Sequence, residues 1–335
     1  FPTRRSSDLA CRITATGTAE RVQALVDAGA LNLDGDITAR EATVTVELGA
    51  FTQRDGTALS TTGRISVQAM GNLTLSRLVT SDGDVSLVSS HGGLLDGSTD
   101  ERAHVTATQG VVRELRGAFI GTRYEGGTLD LSTAQIDTVL ARSGGVFIGL
   151  EGASGTTLID RIDANGSGAD VVVTAHQGDL QVNRVSTADQ LRLDVNGTLR
   201  LGDATAGGDV TLLSTHGNIV QLVGVRLVAD GAGSTTRLTA GGDVRLNNSG
   251  NDFAALQVTA REAVVNDRDG LALQTSTLAG GLLLTTGDTV TVGTGTVVRT
   301  GADLVVSIGE GDLLLTGTTR LAAGGALLLA MAARP

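Results

Sequence analysis

Short alternating apolar runs separated by glycine-containing turns recur along this chain, and this repetition restricts the possible fold more than any other feature. The segment GDVSLVSSHGGLL at residues 83–95 recurs with few changes as GDVTLLSTHGNIV at residues 208–220. A more divergent copy is ADVVVTAHQGDLQV at residues 169–182. Apolar residues at every second position indicate half-buried strands, and Gly-Asp, Gly-Gly and Gly-Asn steps are typical of turns. Self-similarity of this kind indicates a repeat architecture.

The length of the repeat predicts a solenoid. Gly63 and Gly83 are 20 residues apart, as are Gly197 and Gly217, and a unit of that length is typical of one coil of a parallel β-helix. The chain has no Trp, one Tyr and five Phe, so its core must consist of small aliphatic side chains, which suit identical stacked layers. We therefore predict an all-β fold, a right-handed parallel β-helix (solenoid) with roughly 20 residues per rung and about 16 rungs.

The regularity of the pattern divides the chain into four segments. Residues 1–9, FPTRRSSDL, match one reading frame of a common sequencing-library adaptor and are expected to be an adaptor-derived artefact without a structural role. Residues 10–34 are expected to form either a short amphipathic helix or an irregular, degraded first rung. The β-helix repeat array is placed at residues 35–320, and residues 321–335 are expected to be a truncated end.

Within the array, we expect residues 169–315 to form an uninterrupted parallel solenoid, because their period-2 alternation is almost continuous. Residues 96–125 are less regular and are expected to project as a loop, and residues 151–168 are a second loose patch. Asn and Asp at the turns tolerate left-handed backbone conformations, and glycine adopts them at no steric cost.

The charge and cysteine content exclude several classes of function. The formal net charge is −11, whereas a protein that binds nucleic acid needs a basic stripe to neutralise phosphates; no nucleic-acid partner is expected. The single cysteine, Cys11, excludes an internal disulfide framework and a cysteine-based zinc site. No run of 18 apolar residues is present, so we expect no membrane span.

The histidines do not predict a metal site. His91, His176 and His216 occupy matching places in the repeat, but copies of one repeat this far apart lie many rungs from one another, whereas ligands must converge on one ion. His104 is isolated in the loose patch and is expected at the surface. The glycine-rich nonapeptide of calcium rolls is approached once only, at residues 166–171, so stacked calcium sites are not expected.

Three pairs of carboxylates invite comparison with the acid/base pairs of β-helical enzymes that cleave polysaccharides. The pairs are Asp34/Asp36, Asp160/Asp163 and Asp267/Asp269, and the charged residues Arg113, Glu114 and Arg116 lie in the expected loop. Such enzymes need two carboxyls roughly 5–10 Å apart beside a groove, usually with aromatic platforms for the sugar. Since aromatic residues make up 2% of the chain, we predict no catalytic residue. We also predict no cofactor and, from the separation of the histidines along the chain, no metal ligand.

Residues 241–292 resemble the β-helical repeats of filamentous-haemagglutinin-like adhesins, and a more generic form of the resemblance covers nearly all of residues 31–325. The most specific marks are GNDF at residues 250–253 and the alternation Leu256-x-Val258 that follows. The resemblance implies a giant secreted exoprotein on the surface of a Gram-negative bacterium, folded as a right-handed parallel β-helix and used for adhesion. It also implies two partners: a receptor or glycan on a host or neighbouring cell, and an outer-membrane secretion pore during export.

Two functions are compatible with these observations. The leading interpretation is a structural shaft segment of a giant secreted surface adhesin, without catalysis. The alternative is a β-helical carbohydrate-active enzyme or lectin. A groove that brings three or more carboxylates together with an aromatic side chain would favour the alternative, and we expect none. For a shaft, Leu212 should point into the stacked core, whereas Asp209 should be a surface turn residue.

Overall fold

Parallel β-strands account for all of the regular structure that the computed structural model describes. The described residues are 11–13, 18–99, 102–123, 127–152, 155–229 and 231–332, and they contain no helix. The strands stack as a β-solenoid with about 14 turns of roughly 22 residues, slightly fewer and longer than the predicted 16 rungs of 20. The predicted all-β parallel solenoid is confirmed, and its right-handedness stays a prediction. Residues 1–9 lie outside the described residues.

The chain divides into two compact units, Phe1–Gln177 and Gly178–Pro335. The described strands of the first unit are β1 (Cys11–Ile13), β2 (Thr18–Val26), β3 (Leu31–Leu33), β4 (Ile37–Val46), β5 (Phe51–Gln53), β6 (Ala58–Thr61), β7 (Ile65–Ala69), β8 (Leu73–Leu75), β9 (Arg77–Thr80), β10 (Val85–Ser89), β11 (Leu94–Asp96), β12 (Val105–Ala107), β13 (Val112–Gly117), β14 (Leu129–Thr133), β15 (Gln135–Ala141), β16 (Val146–Leu150), β17 (Thr156–Ala164) and β18 (Val171–Ala175).

The described strands of the second unit are β19 (Asp179–Thr187), β20 (Leu191–Val195), β21 (Leu199–Ala206), β22 (Val210–Ser214), β23 (Ile219–Gln221), β24 (Leu227–Ala229), β25 (Thr236–Ala240), β26 (Val244–Leu246), β27 (Asp252–Phe253), β28 (Ala255–Ala260), β29 (Ala263–Asp267), β30 (Leu271–Leu273), β31 (Ser276–Leu278), β32 (Leu282–Thr286), β33 (Val290–Val292), β34 (Val297–Thr300), β35 (Leu304–Ile308), β36 (Leu313–Leu315), β37 (Arg320–Ala323) and β38 (Leu327–Met331).

In both units each inward side chain stacks on its counterpart one coil away. In the first unit Ile65 of β7 pairs with Ala42 of β4 on one side and with Val85 of β10 on the other. In the second unit Leu212 of β22 lies between Leu193 of β20 and Leu238 of β25 in the same way. These inward residues are 0–1% exposed, so the period-2 alternation read from the sequence corresponds to a continuous aliphatic core.

Segments that looked irregular in the sequence also belong to the ladders. In the 10–34 segment, β2 pairs in register with β4, so it forms a strand rather than a helix. The loop expected at residues 96–125 is wrong for its described central part, where β12 and β13 pair with both neighbouring coils. Beyond residue 320, β37 and β38 continue the ladder.

Within the described ranges, no Asn or Asp at a coil corner has a left-handed backbone conformation. Every described residue with a positive φ is a glycine. Asp and Asn at the corners instead accept a hydrogen bond from a backbone N–H one coil further on, and each such bond joins two coils. The acceptors and their donors are Asp36 with Ala58, Asn72 with Gly93, Asp84 with Val111, Asp179 with Thr198, Asp203 with Arg226, Asp209 with Thr235, Asn218 with Asp243 and Asp303 with Ala326.

Several corner glycines are required because backbones of successive coils approach too closely for a side chain. A Cβ on Gly83 would lie 2.0 Å from the carbonyl carbon of Gly63, and one on Gly110 would lie 1.7 Å from the carbonyl oxygen of Gly83. Neither contact can be relieved by a side-chain rotation, because the obstructing atoms belong to the backbone. The repeated glycine of the sequence is therefore a packing requirement between coils.

We expect Gly83→Ala to destabilise its corner by about 1–3 kcal/mol, the usual cost of overpacking. Gly35→Ala is the matched control, because a Cβ there meets no atom within 4 Å, and we expect a change of about 0.5 kcal/mol or less. Native-state hydrogen exchange at the amides of β7 and β10 measures both free energies of opening. Equal effects of the two substitutions would show that the corner relaxes around the extra methyl group.

The corner hydrogen bonds also change what is expected of Asp209. As a surface turn residue, Asp209 would contribute about 1 kcal/mol or less. Its Oδ1, however, accepts from the Thr235 N–H at 2.8 Å, and its Oδ2 lies 3.1 Å from an Arg237 guanidinium nitrogen. We expect Asp209→Ala to cost about 1–2 kcal/mol and Asp209→Asn to cost less, since Asn keeps the acceptor. Hydrogen exchange of the Thr235 amide should increase in the alanine variant only.

Candidate functional site

Three carboxylates meet at one corner of the second unit, between two successive coils. In the earlier coil, β27 begins at Asp252. In the later coil, β29 ends at Asp267, and Asp269 lies in the turn before β30. Two hydrogen bonds hold the coils in this register: Arg268 N donates to the Asn251 carbonyl at 2.7 Å, and Phe253 N donates to Asp267 Oδ1 at 2.9 Å. We call Asp252, Asp267 and Asp269 the carboxylate corner.

The carboxylate corner is compact, and one positively charged side chain contacts it. One oxygen atom from each of its three residues lies within 4.8 Å of the other two. Asp252 and Asp267 are 5% and 4% exposed, whereas the Asp269 side chain is 49% exposed. The guanidinium of Arg268 contacts Asp252 and lies 3.3 Å from Asp269 Oδ2. Arginine therefore offsets part of the negative charge.

Asp267 is the least satisfied member of the carboxylate corner. Its Oδ2 is buried and has no hydrogen-bond partner. Burial raises the pKa of Asp267 to about 7, with the Phe253 N–H opposing that shift and the charges of Asp269 and Asp252 adding to it. Desolvation without a partner disfavours the ionised form of a carboxyl group. At neutral pH this carboxyl is therefore poorly solvated and lacks a counter-ion at one oxygen.

The buried side chain of Asn251 fixes the backbone next to the carboxylate corner. Asn251 is 0% exposed; its Oδ1 accepts from Gln221 Nε2 at 2.5 Å and from Leu227 N at 2.9 Å. Its Nδ2 donates to the carbonyls of Leu246, at 3.0 Å, and Asn266, at 3.2 Å. Because buried polar groups are costly unless paired, a side chain used this fully has one orientation. In the GNDF motif, Asn251 thus plugs the corner, Asp252 supplies a carboxylate and Phe253 packs in the core.

A second polar cluster lies inside the first unit, around a histidine that we expected at the surface. That expectation is wrong: His104 is 0% exposed. Its Nδ1 accepts from the Asp130 N–H at 2.9 Å, so its ring proton is on Nε2, 2.7 Å from Asp96 Oδ1. This second contact is close but poorly aligned for a hydrogen bond and acts as an electrostatic contact. With no exposed ring atom, His104 holds neighbouring coils together and is out of reach of a substrate.

The neighbours of His104 shift the ionisation of one carboxyl group. Burial raises the pKa of Asp130 to about 6, His104 opposes this shift, and Glu151 and Asp96 reinforce it. Its side chain is 16% exposed. In mildly acidic solution the Asp130 carboxyl group is therefore protonated in the folded chain, whereas the same group in an unfolded chain is ionised.

The three repeat-position histidines do not share a site. His176 Nε2 lies 3.3 Å from Glu151 Oε1, and His216 Nδ1 lies 2.5 Å from Asn196 Oδ1. His91 lines an open surface groove of the first unit with Glu47 and Met70. In the part of the chain that the structure describes, the carboxylate corner is the one group of three or more possible metal ligands, and it contains no histidine.

The carboxylate pairs read from the sequence have different environments. Asp36 accepts the Ala58 N–H across a corner. Asp163 is buried and paired with Arg161 at 2.6 Å, while Asp160 is exposed. Only Asp267 and Asp269 gain a third carboxylate, Asp252 on the preceding coil. Sequence reasoning missed Asp252 because it compared residues two or three positions apart, although the GNDF motif already marked this position.

The charged residues of the expected loop lie on β13 instead. Arg113 is an extra residue in the β10–β13 pairing, which shifts register between Val85 and Ser86. Its guanidinium lies 2.7 Å from Asp84 and 2.8 Å from Asp137. Glu114 and Arg116 pair with each other at 2.5 Å. These side chains neutralise one another along the ladder, so they do not assemble an acid/base pair.

We expected no groove in which three or more carboxylates lie together with an aromatic side chain. Part of that arrangement is present. Three carboxylates do meet, and Phe253 is adjacent to them in sequence. The Phe253 ring, however, is 0% exposed and belongs to the core, so it offers no platform for a sugar.

Among the described residues there is no helix of the length and apolarity that crossing a bilayer requires.

Comparison with known proteins identifies a repeat family over part of the chain. Residues 188–260 match a family described as repeats of unknown function (DUF5649). Neither the curated proteins nor the solved structures yield a match. Together with the stacked parallel strands, this match makes the chain a β-helical repeat protein. The matched segment includes Asp252, the first residue of the carboxylate corner.

We expect the Asp130 cluster to make stability depend on pH. Since the pKa of Asp130 is about 6 in the folded state and 3.8 in the reference state, its contribution favours folding at low pH and falls as pH rises from about 4 to about 6. Asp130→Asn should flatten the stability curve in that window and stabilise the protein above pH 6, by on the order of 1–2 kcal/mol. Thermal unfolding across pH measures the difference from wild type.

Asp243→Asn provides a control of opposite sign. The hydrogen bond from Arg261 lowers the pKa of Asp243, so its contribution is present above the unfolded pKa and is lost on acidification below about pH 4. An Asp130→Asn curve parallel to wild type between about pH 4 and 6 would contradict the assignment.

Proposed function

We propose that this chain is a structural shaft segment of a giant secreted bacterial surface adhesin and that it carries no catalysis. The observation that carries the proposal is the in-register stacking of inward residues within each unit. Ile65 lies over Ala42 in the first unit, and Leu212 over Leu193 in the second. A fold in which each coil contacts only its neighbours can be extended by adding coils, which suits a protein that presents binding surfaces far from its anchor.

The adhesin assignment rests on the sequence resemblance in residues 241–292, part of which lies within the matched repeat family. In this proposal the chain is secreted and held at the cell surface. Its partners are a receptor or glycan on a host or neighbouring cell and, during export, an outer-membrane pore. The acidic net charge of −11 is compatible with these partners and disfavours nucleic acid.

The alternative, a β-helical carbohydrate-active enzyme or lectin, gains support from the carboxylate corner. Its geometry disfavours one of the two hydrolytic mechanisms. The ligand oxygens lie within 4.8 Å of one another, too close for an inverting pair at roughly 6.5–9.5 Å but near the roughly 5–5.5 Å of a retaining pair. Arg268 already contacts two of the three carboxylates, and the one adjacent aromatic ring is buried. We therefore rank the shaft above the enzyme.

A comparison of two variants distinguishes these functions. Beads coated with the wild-type chain should adhere to epithelial cells, and the chain should release no reducing ends from a polysaccharide panel. Leu212→Arg places a charge in the core at a cost of several kcal/mol, so adhesion should fall several-fold, with increased hydrogen exchange confined to nearby coils. Asp267→Thr should leave adhesion unchanged, because the shaft does not act through that carboxyl.

Either of two results would favour the alternative. One is release of sugar that Asp267→Thr abolishes while the far-UV circular dichroism spectrum stays unchanged. The other is binding to a glycan that this variant loses with its fold intact. Failure of wild-type beads to adhere to any cell type would contradict the adhesin role and leave only a scaffold.

A further inference from the structure

Asp267 is the last residue of β29, and several other strands of the chain end in a threonine that donates a hydrogen bond there. The paired residue in the next coil is Thr286, whose Oγ1 donates to the Asp288 carbonyl at 2.8 Å. Thr61 and Thr300 also end their strands and donate to the carbonyl two residues later. An ionised carboxylate accepts hydrogen bonds and cannot donate one. When ionised, Asp267 therefore cannot make the hydrogen bond that its paired residue Thr286 makes, and its buried Oδ2 has no partner.

We propose that the carboxylate corner is a binding site for a divalent cation, with Ca²⁺ as the best fit. Ca²⁺ binds oxygen ligands at about 2.3–2.6 Å, so two ligands on opposite sides of one ion are at most about 5 Å apart. The three carboxylate oxygens lie within 4.8 Å of one another, which is within that span. Mg²⁺ needs about 2.0–2.1 Å and near-ideal octahedral geometry, so the corner would have to contract around it.

The charge of the corner also favours a cation. When all three carboxyls are ionised, they and the Arg268 guanidinium carry a net charge of −2, which one Ca²⁺ neutralises. Arg268 contacts Asp252 and Asp269, but Asp267 Oδ2 still lacks a hydrogen-bond partner. The carboxylates and the absence of thiolate or imidazole in this group favour a hard cation over zinc or copper.

The exposure of the site gives the ion a path of entry. The side chains of Arg268 and Asp269 are 55% and 49% exposed, so the guanidinium can turn toward solvent while Asp269 turns onto the ion. Asp252 and Asp267 are held by the backbone of β27 and β29. Because these strands belong to successive coils, one ion bound to both residues would fasten the two coils together at this corner.

The test is thermal unfolding of the whole chain after treatment with EDTA, at neutral pH and constant ionic strength, with added CaCl₂ or MgCl₂. For a dissociation constant of about 10⁻⁴ M, typical of extracellular calcium sites, about 10 mM Ca²⁺ shifts the folding equilibrium about 100-fold and raises the melting temperature. Mg²⁺ at the same concentration should have a smaller effect. Calorimetric titration with CaCl₂ should give one site per chain.

Three variants separate a cation site from a purely structural corner. Asp267→Thr restores the hydroxyl donor of the neighbouring coil, so it should fold well and lose the response to Ca²⁺. Arg268→Gln removes the competing cation and should respond to Ca²⁺ more strongly than wild type. Asp303→Asn is the control, because Asp303 also serves a corner by accepting the Ala326 N–H at 2.8 Å, and this variant should respond as wild type does.

The proposal is overturned if wild type and Arg268→Gln both melt at the same temperature with EDTA and with Ca²⁺. It is equally overturned if Asp267→Thr keeps the full calcium response, because the ion then binds elsewhere. None of these outcomes depends on adhesion, so failure of the cation site and failure of the shaft function are distinguishable.

Discussion

Backbone hydrogen bonding between successive coils is the constraint on which the rest of the structure depends. Parallel ladders hold neighbouring strands about 4.8 Å apart, and this spacing must be kept at the corners as well as along the strands. Gly83 and Gly110 are glycines because the corner backbones approach too closely for a Cβ. Corner Asp and Asn residues such as Asp209 accept an N–H that the ladder leaves free. Each repeated residue thus serves a contact with the next coil.

The same constraint explains why the core contains so few aromatic side chains. An inward residue meets its counterparts above and below, so Leu212 packs between Leu193 and Leu238, and aliphatic side chains of similar size fill such columns without gaps. Phe253 is accommodated next to Asn251, whose side chain satisfies four backbone or side-chain groups and closes the corner. A large ring and a buried amide therefore occur together, at the place where the regular pattern is interrupted.

The polar residues that interrupt the aliphatic core are the ones that could bind a ligand. Thr286 satisfies its strand end by donating a hydrogen bond, whereas Asp267, its paired residue, cannot do so when ionised. Asp267 consequently lies buried, with a raised pKa and one unpartnered oxygen. His104 is likewise buried among carboxyls, but Asp130 and Asp96 contact both of its ring nitrogens. Asp267 offers a candidate ligand site because its unpartnered oxygen lies beside two further carboxylates, whereas His104 is 0% exposed.

The sequence by itself determined the strands of its regular segments, their inward faces and the repeat length to within a few residues, because burial of alternate side chains and the glycine spacing are both local and periodic. It did not determine which residues of different coils meet. Arg113 looked like a loop residue but bridges Asp84 and Asp137 on a strand, and His104 looked exposed but is buried. Asp252 joins Asp267 and Asp269 only because the coil length brings position 252 beneath 267. That distance along the chain differs from coil to coil, so only the tertiary register decided which carboxylates converge.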